Sequence, residues 1–332
     1  MSSGEPTPVT WGAILMAILT SAVLTSCGTG SGSTSSSKSS TRTQARTGVL
    51  VVGHAGRLPA PVQLPATTLV TNGRVLALGG LSASDTSTDA ITQVGNSGSA
   101  RLVGRLPQPL HDAAAASIGG RAYVFGGGDL GSSAAIVRID GSGRAASVGR
   151  LPTGASDVAA ASIGGFAYVV GGFDGAVGLR SILAFSPARG ARKVANLPRP
   201  LRYAAVAAVG PAVLIAGGTS GTSAQRAILR FDPLTRRVTR IGVLPHPLTH
   251  AAGASMGGRF YVIGGRGDLL NSASRAIWSI DPTSGNVRPA GRLPVPLSDI
   301  GAATESDRIV LVGGRDSAGR ARDEISSARE KP

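Results

Sequence analysis

The chain of 332 residues holds one cysteine, Cys27. A single thiol allows no internal disulfide framework and no cysteine-based zinc site. Aromatic residues make up only 4%, too few to fill a large core with rings, so packing by small aliphatic side chains is expected. Lysine is nearly missing. Lys38, Lys193 and Lys331 stand beside 30 arginines in a basic total of 33. Acidic residues number 18, and the formal net charge is +15. Long apolar runs are missing too: one stretch near the N-terminus approaches membrane-spanning length, which excludes a polytopic membrane protein. A hydrophobic share of 42% in turn excludes a fully disordered chain. What abounds is glycine, 48 residues, about twice the usual share. Their placement decides the fold.

No charged residue lies between Glu5 and Lys38. Within that span residues 9–24 are mostly apolar, roughly 16 residues, which suits a signal-peptide core and is short for a spanning helix. The run ends in Leu24-Thr25-Ser26-Cys27. This resembles a bacterial lipobox, in which small residues fit the peptidase cleft and the thiol accepts the lipid. The first ten residues depart from a signal peptide in holding Glu5 and no Lys or Arg; an uncleaved anchor helix is the alternative. Residues 1–27 are thus expected to be a lipoprotein-type signal peptide or anchor. Either version places the rest outside the cytoplasm, tied to the cell membrane. Residues 28–47 are rich in Ser, Gly and Thr. Such a composition buries no core and reads as a tether spanning on the order of 25 Å.

Glycine doublets follow short apolar runs six times, at Gly79, Gly126, Gly171, Gly217, Gly264 and Gly313, with spacings of 47, 45, 46, 47 and 49 residues. A Leu-Pro pair keeps the same beat at Leu58, Leu106, Leu151, Leu197, Leu244 and Leu293. The distance from Leu-Pro to doublet is 20 residues in five units and 21 in the first. Two markers in fixed phase at this period indicate β-propeller blades. In the second unit, strand signals fall at 113–118, 121–125, 135–139 and 145–149, separated by Gly-rich turns. The alanine run at 113–116 favours helix in isolation. Its equivalents elsewhere are small or β-branched, as strands crowded around an axis require. The expected fold is all-β: a six-bladed β-propeller of four-stranded antiparallel blades over residues 48–330. The apolar segment Val49–Val52 is expected to close the ring as the last blade's missing strand.

Tyr123, Tyr168 and Tyr261 stand three residues before their doublets, and Phe231-Asp232-Pro233 and Ile280-Asp281-Pro282 end third strands. In these features residues 49–325 resemble a kelch-repeat propeller. The fourth-strand Trp of that family is absent throughout. The resemblance implies that loops between second and third strands share one face with the entries to the innermost strands.

Fourteen residues before each doublet stand Pro65, Asp112, Asp157, Tyr203, His250 and Asp299, preceded by Leu64, His111, Ser156, Arg202, Thr249 and Ser298. Repeat phase projects these as a polar ring at one channel mouth. His111, Asp112, Ser156, Asp157, Arg202, Tyr203, Thr249, His250, Ser298 and Asp299 are the candidate ligand-binding face. Neighbouring loops add Asp85, Asp89, Asp129, Asp174, Arg180, Arg226, Arg266, Asp268, Arg275, Arg315 and Asp316. Loops on a rigid scaffold usually carry function. The leading expectation is a monomeric binding module for a protein or glycan of the cell envelope. The alternative is a propeller enzyme, a sugar isomerase, mutarotase-like protein or hydrolase, acting at the pore mouth. No catalytic residue is singled out: no serine has a supported His and acid partner, and Cys27 is committed to lipidation. No cofactor is expected. No metal is expected either, since His246 and His250 flank Pro247 rather than sharing a helix face. The Gly-Gly runs precede strand signals, not helices, so a phosphate-binding nucleotide loop does not follow. Basic residues lack interleaved aromatics, which argues against nucleic acid.

Overall fold

The computed structural model describes residues 48–71 and 73–331. The expected signal segment, the tether over residues 28–47 and Cys27 lie outside the described residues. The described residues form strands and turns without a helix, arranged as a β-propeller. Their hydrogen-bonded sheets contain seven, five, five, four and four strands.

The seven-stranded sheet runs through Ala66–Val70, Arg74–Leu78, Thr88–Val94, Ala100–Ile118, Arg121–Gly128, Ala135–Ile139 and Ala145–Arg150. Ala100–Ile118 belongs to two neighbourhoods. Its first part pairs with Thr88–Val94 through Ala100↔Val94 and Arg105↔Ala90. Its second part pairs with Arg121–Gly128 through Ala114↔Phe125 and Ile118↔Arg121. The sequence signal of a separate strand at 113–118 is therefore half of one long strand. Pro107 and Pro109 permit this because the segment between the two pairings is an edge, where a missing N–H breaks no ladder. Later rows follow the simpler pattern. One contains Ala159–Ile163, Phe166–Val170, Ser181–Ser186 and Gly190–Asn196 in antiparallel order. Leu50–Val62 pairs antiparallel with Arg322–Glu330, from Leu50↔Glu330 to Val62↔Arg322.

The glycine doublets hold adjacent rows together. In each, the second glycine N–H donates to a carbonyl on the connection leading into the next row. Gly80 binds Leu110 (2.8 Å), and Gly127 binds Ala155, Gly172 binds Leu201, Gly218 binds Leu248, Gly265 binds Leu297 and Gly314 binds Val62, each at 2.9 Å. The first glycine of each pair has φ between 61° and 65°. A Cβ there would lie 2.1–2.5 Å from that same carbonyl oxygen. Left-handed backbone and close approach together demand glycine.

The hydrophobic core divides into six clusters, five between neighbouring sheets and one within the seven-stranded sheet. The few aromatic rings sit in these interfaces. Phe185 meets Tyr123 and Phe125 with centroids 5.4 Å apart, and Tyr168 meets Phe231 at 5.4 Å. The leucine of every Leu-Pro pair is buried. It fills one of the core clusters, where truncation to Ala typically costs about 2–5 kcal/mol. Arg180, Arg226 and Arg275 donate through Nε to the carbonyls of Leu197, Leu244 and Leu293 at 3.0, 3.0 and 2.8 Å. These three arginines, expected at the ligand face, instead clamp the Leu-Pro segments.

Around the axis, Ala115, Ala116, Ala160, Ala161, Ala207 and Ala302 line a channel of about 710 Å³. Local preference for helix yields here to tertiary context. At Gly253 a Cβ would lie 2.4 Å from the Val206 nitrogen, so that position admits nothing larger than glycine.

Candidate functional site

One end of the channel is ringed by six left-handed residues. Leu64, Asp112, Asp157, Tyr203, His250 and Asp299 have φ between 51° and 60°. They are joined backbone to backbone. Leu64 N donates to Asp299 O (2.8 Å), Asp299 N to His250 O (3.0 Å) and His250 N to Tyr203 O (3.2 Å); Tyr203 N donates to Asp157 O (3.0 Å) and Asp157 N to Asp112 O (2.8 Å). The conformation explains part of the composition, since Asp and His tolerate left-handed φ better than most residues. In the first unit this place belongs to Leu64, not to Pro65 as a count of fourteen implies. The extra residue in that unit shifts the phase by one, and Gln63, bridged to Leu81, takes the place that Ser156, Arg202 and Thr249 hold elsewhere.

The side chains form two groups joined by a stack. In the first, Tyr203 OH donates to Asp112 Oδ2 (3.1 Å), and Arg202 Nε donates to Asp157 Oδ2. His111 Nε2 lies 3.5 Å from Asp112 Oδ2, and its Nδ1 meets Ser87 Oγ at 2.8 Å. Burial pushes the Asp112 carboxyl well above the ordinary carboxylate range, and the nearby Asp157 charge adds to it. Burial lowers His111 and raises the Tyr203 hydroxyl. Arg202 also lies over the Phe173 ring, 4.3 Å from its centroid.

In the second group, His250 stacks on Tyr203 with centroids 3.8 Å apart. Its Nε2 faces Arg266 Nη2 at 3.2 Å and its Nδ1 faces Thr249 Oγ1 at 3.1 Å. A guanidinium only donates, so Nε2 accepts and Nδ1 carries the proton. Burial, helped by Arg266 and Arg202, lowers His250 to about 3, and the ring is neutral at physiological pH. Ser298 Oγ donates to Asp299 Oδ2 (2.6 Å), while Asp299 Oδ1 is buried without a hydrogen-bond partner, 3.9 Å from His250 Nε2. Burial raises Asp299 to about 6. Asp112 Oδ1 is likewise buried and unpartnered.

Nine of the ten sequence candidates thus meet in one network. Ser156 stands aside, paired with Ser132 Oγ at 3.1 Å. Thr249 is tied into a hydroxyl relay with Thr219 (2.7 Å). Sequence reasoning missed Gln63, Ser87, Ser132 and Phe173. Gln63 Nε2 donates to Asp85 Oδ1 (2.7 Å) and its Oε1 accepts from Arg315 Nη1 (3.3 Å). The single extra residue of the first unit was the signal that would have found Gln63. Most flanking loop charges serve the loops. Asp174 accepts from Ala176 N and Val177 N, Asp268 from Ala224 N, and Asp316 from Arg320 and Arg322.

Asp299 yields a test of this network. A carboxyl with ordinary value 3.8 raised to about 6 makes the folded state bind more protons than the unfolded state between those values. Its contribution to stability therefore falls as pH rises through that window. Two units amount to at most roughly 3 kcal/mol. Asp299→Asn is expected to stabilise the protein by about 1–2 kcal/mol at pH 7.5, with the gain gone below pH 4. Thermal melts at both pH values check it, and a destabilised variant at pH 7.5 would refute the burial argument.

Known proteins bear on this geometry in two ways. The Kelch motif matches residues 247–294. That segment holds Thr249, His250, Tyr261 and the Gly264-Gly265 doublet, so the match falls on one complete repeat with its polar entry. A solved structure titled "Structure of YjhT" superposes with a TM-score of 0.69, covering 82% of this chain and 99% of its own, at 15% identity. At that identity the likeness shows the propeller fold alone. A search of curated proteins finds no match.

Proposed function

We propose that this chain is a six-bladed kelch-type propeller, lipid-anchored through Cys27 outside the cell, whose loop face docks a protein of the envelope. The six-blade reading treats the seven-stranded sheet as two blades sharing Ala100–Ile118. Six core clusters and six doublet clasps support it. Leu50–Val62 then serves as the outer strand of the last blade, and the clasp Gly314–Val62 is the seam.

The observation that carries the docking reading is an aliphatic rim on the polar face. Leu130 is fully exposed, and Leu269, Leu270 and Val177 are 68%, 63% and 60% exposed. All four stand on loops between second and third strands, the loops that supply Arg266 and Phe173 to the ring. Single exposed aliphatics need no explanation. Four on the loop tips of one face, around a hub whose charges largely satisfy one another, form an apolar contact set with polar surroundings. Aliphatic tips favour a protein partner over a glycan. The serine triple variant at Leu130, Leu269 and Leu270 is expected to weaken retention of the envelope partner at least tenfold with an unchanged melting temperature. Equal retention would sink the docking reading. Cys27→Ala is expected to abolish fatty-acid labelling, and persistent labelling would remove the anchor.

A second reading, catalysis at the same mouth, is favoured by one feature. Asp112 sits beside Asp157 with its carboxyl held well above the ordinary range by burial and by that neighbour's charge, the pattern of an acid beside a second carboxylate. Turnover in a panel of sugars, lost in Asp112→Asn, would establish it.

A further inference from the structure

The channel's other end opens beside a second polar groove. Between the first two blades lies a cavity of about 380 Å³ whose walls include Arg74, Arg101, Arg121, Gln93 and Asp140. Two features set it apart from an ordinary solvated patch. Arg74 Nη1 and Arg101 Nη2 both donate to one neutral acceptor, Gln93 Oε1, at 3.2 and 3.1 Å. Two guanidiniums are thus held around a single oxygen with no carboxylate to neutralise them. Arg121, at the opposite wall, makes no hydrogen bond or ion pair among the described residues. The one acid of the groove, Asp140, spends Oδ1 on its own turn, accepting from Ser142 N, Ser142 Oγ and Arg144 N. Three positive groups against one negative leave the groove with an excess of two charges. Arginine forks of this kind match the oxygens of a phosphate.

The groove is continuous with the channel. Val70, Thr71, Gly119 and Gly120 line both. Beyond that shared rim the channel carries no charged side chain, only small aliphatic groups and hydroxyls such as Thr67, Ser117 and Thr304. A ligand filling both spaces therefore has an oxyanion at one end and a neutral hydroxylated body at the other. We infer that this end of the propeller binds a phosphate ester of a polyol or sugar. The phosphate sits among Arg74, Arg101 and Arg121, and the hydroxylated part enters the channel. The site lies at the opposite end of the channel from the aliphatic loop rim and is independent of it.

The test uses isothermal titration of the full chain with glycerol phosphate, a sugar phosphate, the parent sugar and inorganic phosphate. The two esters are expected to bind, with affinity falling as salt rises. The parent sugar and inorganic phosphate are expected to bind at least tenfold more weakly than the esters. Arg121→Gln is expected to weaken ester binding about tenfold, and the Arg74→Gln, Arg101→Gln, Arg121→Gln triple variant at least 100-fold. All three residues are exposed, so these variants fold. The serine triple variant of the loop rim is expected to bind the esters unchanged, which separates this site from the docking face. Ester binding that survives the triple arginine variant overturns the site. Inorganic phosphate binding as tightly as the esters overturns the role of the channel. Co-sedimentation with phosphatidylglycerol vesicles without binding of soluble esters overturns the ligand class in favour of a membrane headgroup.

Discussion

Gly126→Ala is expected to cost at least 3 kcal/mol, enough to leave much of the protein insoluble. Two independent penalties act at this residue. The backbone is left-handed at φ 65°, which costs a side-chain-bearing residue about 1–2 kcal/mol. A Cβ would also lie 2.1 Å from Ala155 O. That carbonyl cannot retreat freely, because it accepts from Gly127 N at 2.9 Å. Moving it breaks the bond that joins two rows and disturbs Leu151 and Ala155 in the cluster beneath. Gly164 supplies the control. Its φ is 56°, yet nothing lies within 4 Å of its Cβ position. Gly164→Ala should cost only the conformational part, about 1 kcal/mol. Chemical denaturation of both variants measures the difference. Equal costs would mean that the doublets are retained for their backbone angle alone, and that the clasp is dispensable.

This contrast also explains how far the sequence could be read. The doublets were visible because two physical demands fall on one position and recur with every row. The same holds for Leu-Pro, where a buried leucine is followed by a proline at the end of a strand pairing. Strand 135–139 was legible because its β-branched run is bounded by Gly-rich turns, and it appears as Ala135–Ile139. The join at residues 106–112 was not legible. Prolines 107 and 109 look like a break, yet they lie on an edge where extended backbone needs no N–H partner.

At the candidate site, repeat phase located the ring but could not say what its members do. Asp112, Asp157, His250 and Asp299 read as ligand groups, while their left-handed φ shows a conformational reason for the same choices. Tyr203 reaching Asp112 from a position 91 residues later has no sequence signature, because side-chain direction across the axis depends on the whole ring. Arg180, Arg226 and Arg275 share the charge of Arg202 and Arg266 but face the Leu-Pro carbonyls. Only the fold distinguishes the two sets.

The largest effect after the doublets is expected at the seam, where Gly56→Ala tests the six-blade reading. Elsewhere, glycines on outer strands meet turn glycines of the next row. A Cβ on Gly104 would lie 2.1 Å from Gly143 O, and one on Gly242 would lie 2.6 Å from Gly285 O. Gly56, on the strand that pairs with Arg322–Glu330, would place a Cβ 2.1 Å from Gly98 O. This contact sets the sheet built from the paired terminal strands, Leu50–Val62 and Arg322–Glu330, against the turn at Gly98. The strand behind it is committed to the core, since Leu50 packs with Ile277 and Ala290, and Leu58 and Val62 pack with Val75, Val310 and Ile325. If the ring closes there, Gly56→Ala and Gly104→Ala obstruct equivalent interfaces and lose similar stability, about 2–4 kcal/mol each. Deleting residues 48–57 removes one side of the seam altogether. It should lower the melting temperature by more than about 10 °C and broaden the transition, because the last sheet is left with an open edge. A chain in which Gly56→Ala is silent while Gly104→Ala is costly would have an open seam. The blade count would then fall with it, since Leu50–Val62 would no longer be the outer strand of the last blade.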